Sequence, residues 1–188
     1  METVVLPSNA NQKEQDAFRT ISIAALLVGT LDITAANIQY YLNTDRGAAL
    51  KLTGTGEPIP FFTYMTHGGP NRIFKYISKA VFDPSTSEKL LIVWGAVLHY
   101  IIAFLFTVFL FLIYPKIYRL LKNKLATGLL YGFFIWSIMN LLVVPLSKIN
   151  KFPSDFKQAV SAEVILTFLI GLPVVLIAHR FYTRKGTI

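Results

Sequence analysis

Residues 90–114 read LLIVWGAVLHYIIAFLFTVFLFLIY, a run with no Asp, Glu, Lys or Arg. A helix needs about 20 apolar residues to cross the hydrocarbon layer of a bilayer. Only helices and closed barrels satisfy the backbone there. A barrel strand alternates apolar and polar residues, and this run is continuous, so it reads as a helix. Three more stretches of the same kind lie at about 20–42, 126–146 and 159–180. The expected fold is all-α: a polytopic membrane protein with a four-transmembrane-helix bundle and an extra interfacial amphipathic helix.

Composition agrees. Hydrophobic residues make up 54% of the 188-residue chain and charged residues 15%, with a mean hydropathy of +0.53. Soluble domains carry about 25% charged residues. There is no cysteine, which excludes disulfides, thiolate catalysis and cysteine-held metal centres. The net charge of +8 sits at helix ends and in loops, where anionic lipid headgroups account for it better than nucleic acid does. The first apolar segment follows a polar stretch, exceeds a signal-peptide core and contains Asp32, so it reads as a retained helix. The 18 residues before it read as polar and mobile.

Every apolar segment carries a polar residue: Asp32, His99, Asn140 and Glu163. A carboxylate at mid-bilayer costs at least ~2.5–3.5 kcal/mol, so it must face a partner or a wet cavity. The first segment places Ser22, Ala25, Gly29, Asp32, Ala36 and Gln39 on one stripe at steps of three and four. Gly95, His99 and Ala103 form a stripe in the second. Gly128, Gly132, Trp136 and Asn140 do so in the third, and Glu163, Thr167 and Gly171 in the fourth. Small residues at this spacing let helices approach closely, so the economical packing turns all four stripes inward. At a rise of ~1.5 Å per residue, the four polar groups fall in one half of the bundle. Asp32 and His99 should face each other, directly or through one water. The candidates for a pocket lining or relay are Asp32, His99, Asn140, Glu163, Gln39 and Thr167.

Residues 43–89 form one long connection, expected outside the cell. It holds the Thr53–Gly56 stretch, Pro58, and an apolar patch from Ile59 to Met65. Over 71–82, Ile73, Phe74, Ile77 and Val81 make an apolar stripe beside the cations Arg72, Lys75 and Lys79. That pattern predicts a helix on the membrane surface or a lid over the bundle's mouth, with Asn71 as its cap and Asp83-Pro84 as its stop. Pro115 should end the second transmembrane helix, and Pro173 should bend the fourth. Lys and Arg divide nine to nine between the two ends of the bundle. The densest short loop, 115–125, places both termini in the cytoplasm.

Catalytic signatures are missing: there is no phosphate-binding loop, nucleophile elbow or His-Glu-x-x-His. One histidine and two carboxylates could ligate a metal, but no ligand spacing within a helix supports a site. His99 and His179 differ in depth by about 18 Å at the helical rise, too far to share a haem iron. No cofactor is expected. A structural polar cluster, a solute or proton path and an accessory-subunit role all fit the residues, with lipids, a small solute, protons or a membrane partner as ligands.

Gly29-Thr30-Leu31-Asp32, the Ile73–Phe82 stretch, Leu98-His99-Tyr100 and Gly128–Pro145 with Met139-Asn140 resemble a family of uncharacterised bacterial four-helix inner-membrane proteins. A remoter likeness is to the YagU-like membrane proteins of unknown function. The resemblance covers most of residues 20–180 and implies a bacterial inner membrane and four spans. It implies no substrate and no chemistry for any residue.

Overall fold

A computed structural model describes residues 8–43, 59–83 and 85–188. The expectations for Thr53–Gly56, Pro58 and Pro84 lie outside the described residues. Among the described residues there is no strand. The helices are α1 (Ser8–Asn43), α2 (Phe61–Thr66), α3 (Gly69–Ser78), α4 (Glu88–Leu121), α5 (Lys124–Ser137, continued through Ile138–Val143 to Leu146) and α6 (Phe156–Leu166, continued through Thr167–Gly171 to Arg184). Four of them, α1, α4, α5 and α6, are long and apolar enough to cross a membrane.

Each long helix outruns its apolar core. α1 begins at Ser8, because the residues ahead of Arg19 include Ala, Gln, Lys and Glu, all good helix formers. The stretch read as polar and mobile until the membrane is reached is helical from Ser8 onward. α5 starts two residues early because the Asn123 side chain accepts from the backbone N–H groups of Leu125 (2.9 Å) and Ala126 (3.2 Å). In α6, Asp155 Oδ1 does the same for the Lys157 N–H at 2.9 Å.

Prolines explain the irregular turns. α4 does not end at Pro115; it runs on to Leu121. Proline lacks the N–H that would bond the carbonyl of Phe111, four residues back. The Tyr182 hydroxyl, reaching across from α6, donates to that carbonyl instead. In α5 and α6 the solution differs. Each has a π-helical turn, Ile138–Val143 and Thr167–Gly171, ending two residues before Pro145 and Pro173. Widening the turn by one residue moves the preceding carbonyls away from the proline ring.

Glycines set the helix spacings. A Cβ on Gly95 would lie 1.9 Å from the Phe74 carbonyl oxygen, so α3 seats its backbone directly on α4. Gly171 faces Gly128 and Gly132, which brings α5 and α6 into backbone contact at the second π turn. Gly29 faces the Tyr100 ring and Ala103, closing α1 on α4.

The apolar core fills the end of the bundle nearest the termini. Leu110, Phe111, Tyr114, Val175 and Ala178 are among its fully or nearly fully buried members. The outer faces carry Leu27, Val93, Leu105, Leu112, Leu130 and Phe168 exposed, an apolar surface of the kind that membrane-spanning helices present. α2, which the sequence shows only as an apolar patch, docks through Tyr64. This side chain is 3% exposed, and its hydroxyl lies 3.3 Å from Asn37 Oδ1 and 3.2 Å from the Gly69 carbonyl. Burial pushes the Tyr64 phenol above its ordinary range, so it remains a donor.

Candidate functional site

The end of the bundle away from the termini is hollow. An inner chamber of about 380 Å³ lies between α1, α3, α4, α5 and α6. That is within the ~300–1,000 Å³ of small-molecule pockets. A wider vestibule of about 1090 Å³ lies beyond it, bounded by α3, the start of α4 and the loop 151–155. Ala36, Gln39, Ile73, Tyr76, Asn140 and Val144 line both, so they form the neck between the two.

Asp32 and His99 line the chamber on facing helices. The His99 Nε2 lies 2.8 Å from the Gly29 carbonyl. A carbonyl only accepts, so Nε2 carries a proton. The other ring nitrogen, Nδ1, then faces Asp32 Oδ2 at 3.9 Å. That is ion-pair distance, too long for a direct hydrogen bond and within reach of one bridging water. The imidazole is held from three sides, by the Gly29 carbonyl and by edge-to-face contacts with Phe74 and Tyr100 at 6.4 and 5.1 Å. Its side chain is 8% exposed, whereas that of Asp32 is 36% exposed. The carboxyl therefore presents itself to the chamber, while the imidazole is part of the wall.

Gln39 and Asn140 lie in the neck. Gln39 donates to Ser161 Oγ at 2.8 Å, linking α1 to α6. Asn140 sits in the π turn of α5, and its amide donates to the Trp136 carbonyl at 3.0 Å. The turn places its side chain toward both cavities.

Glu163 and Thr167 line neither cavity. The Thr167 hydroxyl donates to Glu163 Oε1 at 3.0 Å, and Thr167 packs against Gly132 at the α5–α6 contact. The two satisfy each other one turn apart; their stripe turns inward onto Gly128 and Gly132 as expected, but against α5 rather than into the pocket. Among the described residues no three His, Cys, Asp or Glu side chains gather as a metal site would require.

Arg72, Lys75 and Lys79 line the vestibule, joined by Lys151. α3 is thus a roof, with Ile73 and Ile77 over the chamber and the cations on the vestibule side. It departs from the expected surface helix in three ways. It starts after Gly68, a left-handed residue (φ 88°), rather than on an Asn71 cap. It ends at Ser78, whose hydroxyl donates to the Lys75 carbonyl at 2.8 Å. Val81, expected in the apolar stripe, is 51% exposed in the turn that follows. Lys75 pairs with Glu88 at 2.8 Å, tying the roof to the start of α4.

Tyr76 and Lys151 are the site residues that pattern reading passed over. Tyr76 follows Lys75 on the amphipathic helix, where it reads as part of the polar face. Lys151 lies in a turn, and nothing in its neighbours tells which cavity the turn overhangs. No family model matches the chain, and no curated protein or solved structure matches it.

Proposed function

We propose that this is a multi-pass protein of the bacterial inner membrane, with both termini cytoplasmic, that binds and translocates a small solute or protons through the chamber. The observation that carries the reading is the Asp32–His99 pair, placed in the wall of a cavity that continues through a neck to an open vestibule. A polar cluster serving only to fix packing satisfies itself and leaves no space. Here the Asp32 side chain is only partly covered, and it lines an internal chamber. His99, with Nε2 committed to Gly29, has only Nδ1 left to exchange a proton. Asp32 is the acceptor facing it. Gln39 and Asn140 supply amide groups where a solute passes the neck.

Asp32→Asn keeps the shape and removes the titrating group. In proteoliposomes holding a pH-sensitive dye, the protein should dissipate an imposed pH gradient faster than empty vesicles. The variant, incorporated equally, should match the empty vesicles. Equal flux from both proteins, with the variant merely melting lower in detergent, would make the pair structural. It would then leave the reading of an accessory subunit.

A further inference from the structure

The vestibule carries four cations, Arg72, Lys75, Lys79 and Lys151, against two carboxylates, Glu88 and Asp155. Lys75 is taken by Glu88. Arg72, Lys79 and Lys151 have no carboxylate within ion-pair distance among the described residues. Arg72 and Lys79 come from the roof helix and the turn that ends it, two turns apart, and Lys151 comes from the loop opposite. Three cations line this one open space, and guanidinium and ammonium groups are the usual partners of a phosphate.

The chamber behind the neck has the opposite character. Its walls are mostly aliphatic and aromatic: Ile33, Ile77, Ile102, Phe106, Ile135 and Ile170 are representative. Asp32 and His99 are the ionisable pair in this wall, and the apolar side chains around them make up most of the rest of the surface. An occupant that satisfies both spaces has an anionic head and a single apolar chain.

We infer that the vestibule and chamber together bind a single-chain amphiphile with a phosphate head, the head on Arg72, Lys79 and Lys151 and the chain through the neck into the chamber. This rests on the proposed solute pathway and names its substrate class. The phosphate can come from a lysophospholipid of the bilayer or from a soluble alkyl phosphate; the chemistry at the site is the same.

The test is calorimetric titration of the full-length protein in nanodiscs with inorganic phosphate and with butyl, hexyl and octyl phosphate. Empty nanodiscs supply the background. Each methylene buried is worth about 0.8 kcal/mol, or a fourfold change in Kd, so octyl should bind on the order of a hundredfold tighter than butyl phosphate. Lys79→Gln combined with Lys151→Gln should weaken octyl phosphate about tenfold or more. Octyltrimethylammonium should bind no better than to empty nanodiscs. Ala36→Leu, which narrows the neck, should weaken octyl phosphate and spare inorganic phosphate. That variant keeps the test alive if the lysine variants fold poorly.

Inorganic phosphate binding as tightly as octyl phosphate would overturn the proposal. So would equal binding of the cationic amphiphile, or an unchanged affinity in the well-folded lysine variant. None of these results touches the proton-flux measurement on Asp32→Asn, so the two readings fail separately. Displacement of octyl phosphate by lysophosphatidic acid in dodecyl maltoside micelles assigns a lipid source. Retention of octyl phosphate against it assigns a soluble one.

Discussion

Tyr182 and Pro115 are 67 positions apart in sequence, and they solve one problem between them. Pro115 removes the donor for the Phe111 carbonyl inside α4, and the Tyr182 hydroxyl from α6 replaces it. The pair makes a clean double-mutant cycle. Tyr182→Phe alone leaves a buried acceptor unmet and should cost about 1–3 kcal/mol, read as a lower Tm in detergent. In a Pro115→Ala background, the new alanine supplies the N–H and the same change should cost little. A coupling near zero would mean that the hydroxyl does not serve the proline. No spacing rule could have revealed this contact, because it joins two helices. By contrast Asp32, His99, Gln39 and Asn140 were legible, since steps of three and four put each on a small-residue face of its own helix. Glu163 and Thr167 obey the same spacing and line neither cavity. Steps of three and four define a stripe without saying which neighbour it meets, and theirs meets Gly132.

At the level of elements, the two π turns are the departures from regular helix that shape the site. The one in α5 puts Asn140 and Val144 into the neck, and Pro145 follows directly. Deleting Leu141 should restore α geometry and set the Pro145 ring against the preceding carbonyls, at a cost of about 3 kcal/mol. Adding Pro145→Ala to the deletion should recover most of that Tm. A deletion that melts like the parent would show the π turn to be incidental. The existence of the four long helices was legible from apolar length alone, but their ends and bulges were not. Ends depended on caps such as Asn123, and bulges on how each proline was accommodated. α2 escaped notice because six residues give too little periodicity to recognise. The turn from α3 to α4 offers a pH test. The backbone N–H of Ser85 bonds Asp83 Oδ1 at 2.9 Å and holds this exposed carboxyl below its ordinary range, with Lys148 adding to the effect. A lowered pKa in the folded state stabilises above the ordinary carboxylate value of about 3.9 and ceases to as pH falls through the lowered value. The Tm advantage of the native protein over Asp83→Asn should therefore be present at pH 6 and vanish toward pH 2. An advantage that grows on acidification would contradict the assignment.

For the whole molecule, the division into a packed end and a hollow end decides what orientation means. The packed end holds the start of α1, the end of α6 and the loop between α4 and α5, with Arg119, Lys122 and Lys124. The hollow end holds the vestibule, the roof helix and loop 151–155. Under the proposed function, a vestibule at one end of the bundle would make the topology decide from which side a ligand enters. Basic residues tie at nine to nine, and the proposed cytoplasmic placement of the packed end rests on its short dense loop. The lack of cysteine makes the assignment directly measurable. Lys122→Cys and Ser154→Cys each introduce one thiol at an exposed position, at opposite ends. In intact cells stripped of their outer membrane, a membrane-impermeant maleimide should label Ser154→Cys at once. It should reach Lys122→Cys only after permeabilisation. The reverse pattern would turn the vestibule toward the cytoplasm. The Arg72–Lys79–Lys151 site would then draw on cytoplasmic phosphate esters or the inner leaflet, and the Asp32–His99 pair would exchange its protons with the cell interior.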